Sequence, residues 1–167
     1  ISLGYVYCGA ELKQIGQGAF EGCTYLYDVR LPEGLETIGE RAFANCQSLD
    51  TMHISAPIKI IEDGTFMDCH SLSVIELPDT ITTIGNSAFK YCYEIYELDL
   101  PAQLERIGNE AFSECWNLRC SELPEGLVSI GDFAFAYCSQ IENLTVPNTV
   151  ESIGVGAFKD CTAIQTI

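Results

Sequence analysis

Residues 31–54 read LPEGLETIGERAFANCQSLDTMHI, and the same frame returns along the whole chain. Phe20, Phe43, Phe66, Phe89, Phe112, Phe135 and Phe158 are each separated by 23 residues, and the spacing never slips. Cys23, Cys46, Cys69, Cys92, Cys115, Cys138 and Cys161 follow three residues later. Ile15, Ile38, Ile61, Ile84, Ile107, Ile130 and Ile153 precede by five. A fixed period of this length is the signature of a repeat architecture. One 23-residue unit cannot bury its own apolar positions, so units must stack and shield one another.

Within a unit, Leu26, Val29 and Leu31 recur as L-x-x-V-x-L, whose last pair alternates as a half-buried strand requires. Pro32 cannot donate a ladder hydrogen bond and ends that strand; Pro78, Pro101, Pro124 and Pro147 do the same elsewhere. Gly34 supplies a turn, Leu35 and Ile38 point back inward, and Gly39 opens a tight corner. From Glu40 to Cys46 the apolar residues Ala42, Phe43 and Cys46 fall at helix-like spacing, which predicts one or two helical turns. The expected unit is strand, turn, second short extended piece and helical turn. Stacked, the strands form one parallel sheet and the phenylalanines a spine of rings. The expected fold class is thus α/β: a right-handed solenoid with one strand per repeat and short helical turns opposite, forming a single domain over residues 1–167.

The unit LPxxLxxIGxxAFxxCxxLxxIxL resembles the BspA-like class of leucine-rich repeats found in bacterial surface antigens, and the likeness covers essentially the whole chain. It implies a curved solenoid with no cofactor, on a cell-surface or secreted bacterial protein that engages other macromolecules. It names no ligand, and its motif is made of structural positions, so no catalytic residue carries over. Departures lie at Ser55, Glu62 and Thr65, where one unit lacks the usual Pro, Gly and Ala. Another lies at Ser121, where an aliphatic core residue is expected beside Cys120. The third and fifth strands are therefore expected to be the least regular.

Composition narrows the function classes. Of 167 residues, 24 are acidic and 8 basic, giving a formal charge of −16, which repels a phosphate backbone and excludes nucleic acid as a partner. Apolar runs reach only a few residues, far short of the roughly 20 that cross a bilayer, and the first residues already follow the repeat rather than a charged-then-apolar signal pattern. The nine cysteines do not read as a disulfide or zinc framework. Seven occupy one column as small buried residues, parallel side chains suit the disulfide dihedral poorly, and no C-x-x-C pair exists. Cys8 takes a strand core position. With only His53 and His70 and no phosphate loop, neither a nucleophilic nor a metal site is expected, so no enzyme and no cofactor.

A partner would sit on the outward strand positions, which form three columns. One runs Arg30, His53, Glu76, Asp99, Glu122, Thr145; the next Asp28, Thr51, Val74, Glu97, Cys120, Asn143; the third Tyr27, Asp50, Ser73, Tyr96, Arg119, Glu142. Tyr27, Arg30, His53, Glu76, Tyr96, Glu97, Asp99 and Glu122 are the candidate contacts, with Tyr5 and Tyr7 at the N-terminal end. Carboxylates packed close together gain from a cationic partner and tyrosines add contact area, which suits a basic host or matrix protein. The alternative is a spacer segment of a larger adhesin with no ligand of its own. Because Ile1 and Ile167 both fall inside the repeat without a visible cap, the chain reads as a window from a longer array, with end-to-end association as a corollary.

Overall fold

The computed structural model describes residues 3–120 and 122–165. Expectations for Ile1, Ser121 and Ile167 lie outside the described residues. The chain forms a parallel β-solenoid. In order, the strands are β1 (Tyr5–Tyr7), β2 (Gln14–Ile15), β3 (Asp28–Arg30), β4 (Thr37–Ile38), β5 (Thr51–His53), β6 (Ile60–Ile61), β7 (Val74–Glu76), β8 (Thr83–Ile84), β9 (Arg106–Ile107), β10 (Ser129–Ile130) and β11 (Ser152–Ile153). Every pairing is parallel, and each residue meets the one 23 positions on, as Val6 meets Val29 and Ile84 meets Ile107.

Two strand ladders result, and the more continuous one is not the one expected. The L-x-x-V-x-L segments pair as β1 with β3 and β5 with β7, then thin to isolated bridges from Glu97 to Arg119 and from Glu122 to Thr145. The second extended piece, T-I or S-I before the corner, carries five neighbouring strands from β6 to β11. The thinning coincides with Glu76, Asp99 and Glu122 in one column, and like charges directly opposite weaken cross-strand pairing.

Both ladders break at the same seam, between β3 and β5 and between β4 and β6. The seam falls where the column of corner glycines is interrupted. A Cβ on Gly39 would lie 2.6 Å from the Gln17 backbone nitrogen, and one on Gly131 2.5 Å from that of Asn109. These glycines are needed because coils approach backbone to backbone, rather than for the turn itself. Glu62 occupies that column in the third coil. The seam opens into a cavity of about 510 Å³ lined by Leu35, Ile38, Pro57, Ile60 and Glu62 among others. Burial, and then Glu40 and Asp63, raise the Glu62 carboxyl above its ordinary value. Thr65 is fully buried here and its hydroxyl donates to the Glu62 carbonyl at 2.8 Å.

The predicted helical turns are absent: no helix occurs among the described residues. Alternate N–H groups of the phenylalanine segment bond within their own coil, as Ala44 to the Arg41 carbonyl at 3.0 Å. The others cross to the next coil, as Phe43 to Thr65 at 2.9 Å and Asn45 to Met67 at 2.7 Å. A helix would keep all of them inside the coil. Two residues per coil, flanking Phe, are forced left-handed to achieve this, among them Arg41 (φ 54°), Asn45 (φ 59°) and Tyr137 (φ 65°). Helix-like apolar spacing was matched by a tighter turn whose hydrogen bonds stitch coils together.

The interior follows the columns. Neighbouring Phe rings stack with centroids 5.1–5.6 Å apart and planes within 13° of parallel, the widest gap, Phe43 to Phe66, falling at the seam. Phe43, Phe66, Phe89, Phe112 and Phe135 are essentially inaccessible, while Phe20 and Phe158 are half-buried. All nine cysteines are free thiols. Cys8, placed in the core by sequence, is only half-buried. The Cys column does more than fill space. From Cys46 onward each Sγ of the column donates to the Phe carbonyl 26 residues earlier, Cys69 to Phe43 and Cys92 to Phe66 at 3.1 Å, Cys161 to Phe135 at 3.0 Å. Desolvation pushes these thiols up, that of Cys46 to about 12 and that of Cys161 to about 11. Buried and protonated, they are poor nucleophiles.

Candidate functional site

The strand face is set by the alternation of β1, β3, β5 and β7, whose central residues Val29, Met52 and Ile75 are buried and whose flanking residues turn outward. The face divides into two unlike halves.

In the N-terminal half the polar groups are engaged with one another. Tyr5 and Tyr27 meet edge to face with centroids 6.3 Å apart. The Tyr27 hydroxyl donates to Asp50 Oδ2 at 3.3 Å, and the negative charge of Asp50 holds it above the usual tyrosine range. Asp50 also accepts from Ser73 Oγ at 2.8 Å. The Arg30 guanidinium lies 5.4 Å over the Tyr7 ring and 3.7 Å from Asp28. His53 Nδ1 is 2.8 Å from Glu76 Oε2, both side chains more than half exposed. His53 thus engages a carboxylate on an open surface rather than a hydroxyl or thiol that it would activate. Val74 is exposed beside this pair.

In the C-terminal half the carboxylates outnumber their partners. An open groove of about 930 Å³ is lined by Glu97, Asp99, Glu122, Glu125 and Glu142, with Arg119 the basic residue on its wall. Arg119 bridges to the Glu97 strand and stacks over Tyr96 at 4.8 Å. The groove forms where the strand ladder thins, so the carboxylate column that weakens pairing also lines the opening. Leu98, Leu100 and Leu123 form part of the same wall, giving it an apolar floor beneath the charges.

Of the eight candidate contacts, Glu97, Asp99 and Glu122 come together in the groove with Tyr96 at its edge, whereas Tyr27, Arg30, His53 and Glu76 belong to the paired half. Cys120 corrects the column reading. Expected to face outward, it is 7% exposed, with Sγ 3.5 Å from the Glu122 carbonyl and its thiol pushed up to about 11 by burial. Glu125 was missed because it lies in the turn after Pro124, outside any strand column. Also missed was a polar ladder beside the second sheet. There Asp63, Asn86, Asn109 and Asp132 each accept the N–H 23 residues on, at 2.6–2.8 Å. Its signal was a recurrent Asx after the I-G pair. Among the described residues no three His, Cys, Asp or Glu side chains converge as a metal site requires. Among the described residues no helix is long and apolar enough to cross a membrane.

Comparison with known proteins fits this architecture. Comparison with curated proteins gives no match. A leucine-rich repeat protein of T. pallidum superposes with a TM-score of 0.91 at 29% identity, covering 98% of this chain and 79% of that one. One from Bacteroides ovatus gives 0.71 at 29%, covering 92% and 48%. A leucine-rich cell surface protein of Faecalibacterium prausnitzii gives 0.61 at 27%, covering 99% and 60%; the chain thus spans only about half to three fifths of these last two. The model of the BspA type leucine-rich repeat region matches residues 2–119 and 59–167, with six copies. With both its repeat and its folded form matched in this way, the chain belongs to the BspA-type leucine-rich repeat family.

Proposed function

We propose that this chain is a non-catalytic binding module that holds a protein partner through the C-terminal half of its strand face, and that the partner presents basic side chains there. The observation that carries this reading is the groove in which five carboxylates face one arginine over an apolar floor. Carboxylates gathered along one groove repel one another, and a cationic partner relieves that repulsion while steering encounter. Leu100 and Pro124, half-buried on that wall, offer the apolar contact from which binding energy comes. A cell-surface or secreted location accords with the surface protein among its structural relatives.

The test is surface plasmon resonance of the chain and its Asp99→Lys/Glu122→Lys form against a panel of matrix proteins spanning acidic to basic. Binding confined to basic members, weakened by salt and lost on charge reversal with little change in melting temperature, is expected. Equal binding by both forms would move the recognition surface elsewhere. Absence of binding to any basic member would favour a spacer segment.

A further inference from the structure

Away from the strand face, on the corner that follows each buried cysteine, three rings from successive coils form a second aromatic column. His70 stacks on Tyr93 with centroids 4.8 Å apart, and Tyr93 on Trp116 at 4.4 Å, both pairs 26° from parallel. Unlike the phenylalanine spine this column is at the surface, and Trp116 is 47% exposed. It ends at Trp116 because the next residue in the column is Ser139, whose hydroxyl turns back to donate to the Trp116 carbonyl at 3.2 Å. Among the described residues no further ring covers the indole on that side. Carboxylates surround the column. Glu114 Oε2 accepts the indole N–H at 2.6 Å, Asp68 lies 3.6 Å from His70, and Glu94 accepts from Asn117 beside Trp116 at 3.3 Å. The Tyr93 hydroxyl is held above its ordinary value by partial burial and then by the fields of Asp68 and Glu114.

The chain's own cations show what such rings attract. Of its eight lysines and arginines, Arg30, Lys90, Arg119 and Lys159 each lie 4.8–5.6 Å over a tyrosine ring. Among the described residues, none lies over Tyr93 or Trp116. Indole is the strongest of the aromatic partners for a cation. A hydrogen bond from its N–H to a carboxylate enriches the ring in electron density and strengthens that attraction. An arginine fits better than a lysine, because its planar guanidinium stacks on the indole while its edge donates in a fork to a carboxylate.

We infer that Trp116, capping the His70–Tyr93 column and rimmed by Glu94 and Glu114, is a docking platform for an exposed arginine of a partner protein. This site is separate from the strand-face groove and stands or falls independently of it. Trp116 is the only tryptophan, so its fluorescence reports on the site directly.

The probe is a tetra-arginine peptide, with tetra-lysine and chitotetraose as comparisons. Saturable change in tryptophan emission by tetra-arginine is expected, at an affinity several-fold above that of tetra-lysine. In anisotropy titrations of labelled tetra-arginine, Trp116→Leu, which keeps apolar area but removes the indole, should weaken binding about fivefold, within the usual range of a cation–π contact. Glu94→Gln/Glu114→Gln should weaken it similarly. The groove variant Asp99→Lys/Glu122→Lys should still show the emission change and the arginine preference. Equal affinity of both peptides, or an unaltered isotherm in Trp116→Leu, would reduce the effect to net charge and overturn the assignment. Saturation by chitotetraose without a response to tetra-arginine would overturn it in favour of a saccharide site.

Discussion

In the interior, seven phenylalanine rings and six thiol-to-carbonyl bonds repeat almost unchanged from coil to coil. On the strand face, by contrast, the column from Arg30 to Thr145 never presents the same side chain twice in succession. The contrast has a physical origin. An interior residue touches the coil before and the coil after, so any change is felt at two interfaces. A face residue meets a neighbour on either side but opens on solvent in front, and its identity is free to follow a partner. The face then divides again, into a half where charges answer one another and a half where carboxylates accumulate.

The largest effect that would expose the contrast is alkaline unfolding. Cys69, Cys92, Cys115 and Cys138 are held neutral by burial, with their thiols raised above the ordinary value near 9. A group raised in the folded state contributes fully below its unfolded pKa, and its contribution is lost as pH climbs beyond that. Each fully buried thiol then costs about 1.4 kcal/mol per pH unit. Four together cost on the order of 5 kcal/mol per unit, comparable to the whole stability of a domain. Circular dichroism between pH 8 and 12 should show cooperative loss of structure above pH 9, and Cys92→Ala should flatten that slope by one proton. A protein indifferent to pH 11 would mean that the column does not stay buried and protonated.

Next in size is the spine. Phe89→Ala removes a fully buried ring from a middle coil and should cost about 3–5 kcal/mol in chemical denaturation, whereas the half-buried Phe20 should cost clearly less. Equal costs would contradict the two-interface argument. The corner glycines come third. A Cβ at Gly131 would approach the preceding backbone to 2.5 Å, so Gly131→Ala should destabilise by about 1–3 kcal/mol. At Gly126 the nearest atoms are 3.7 Å away, and alanine there should be close to neutral.

The interior was legible because its constraint is periodic: Phe, Cys, Ile and Leu at fixed offsets are enough to place core, strands and stacking direction. What was not legible depends on atoms from two coils at once. The helix-like spacing of Ala42, Phe43 and Cys46 fits the observed turn equally well, and only the bond from Phe43 to Thr65 decides between them. The role of the Cys column as donor to Phe carbonyls, and of Gly39 as a point of backbone contact, likewise appear only when coils are superposed. For the candidate site, listing columns puts Glu97, Asp99 and Glu122 at neighbouring positions, and the three line one groove. It could not tell that His53 would engage Glu76, that Cys120 would turn inward, or that Glu125 would reach the groove from a turn.

The smallest predicted effect is the most direct test of the division within the face. Glu76 and Glu122 sit in one column, 46 residues and two coils apart, but Glu76 has the His53 imidazole at 2.8 Å and Glu122 lies in the carboxylate groove. Neutralising Glu76 weakens a charge-assisted hydrogen bond, so Glu76→Gln should lower stability slightly. Neutralising Glu122 relieves repulsion where the ladder has thinned, so Glu122→Gln should raise it. Both changes should stay within about 0.5 kcal/mol, as exposed charges do. Their opposite signs, rather than their sizes, carry the argument, and paired thermal melts at low ionic strength would resolve them. Added salt screens both interactions and should draw the two variants together. Two variants moving the same way would mean that the halves do not differ electrostatically, and the groove would lose its claim to be the place where a cationic partner gains most.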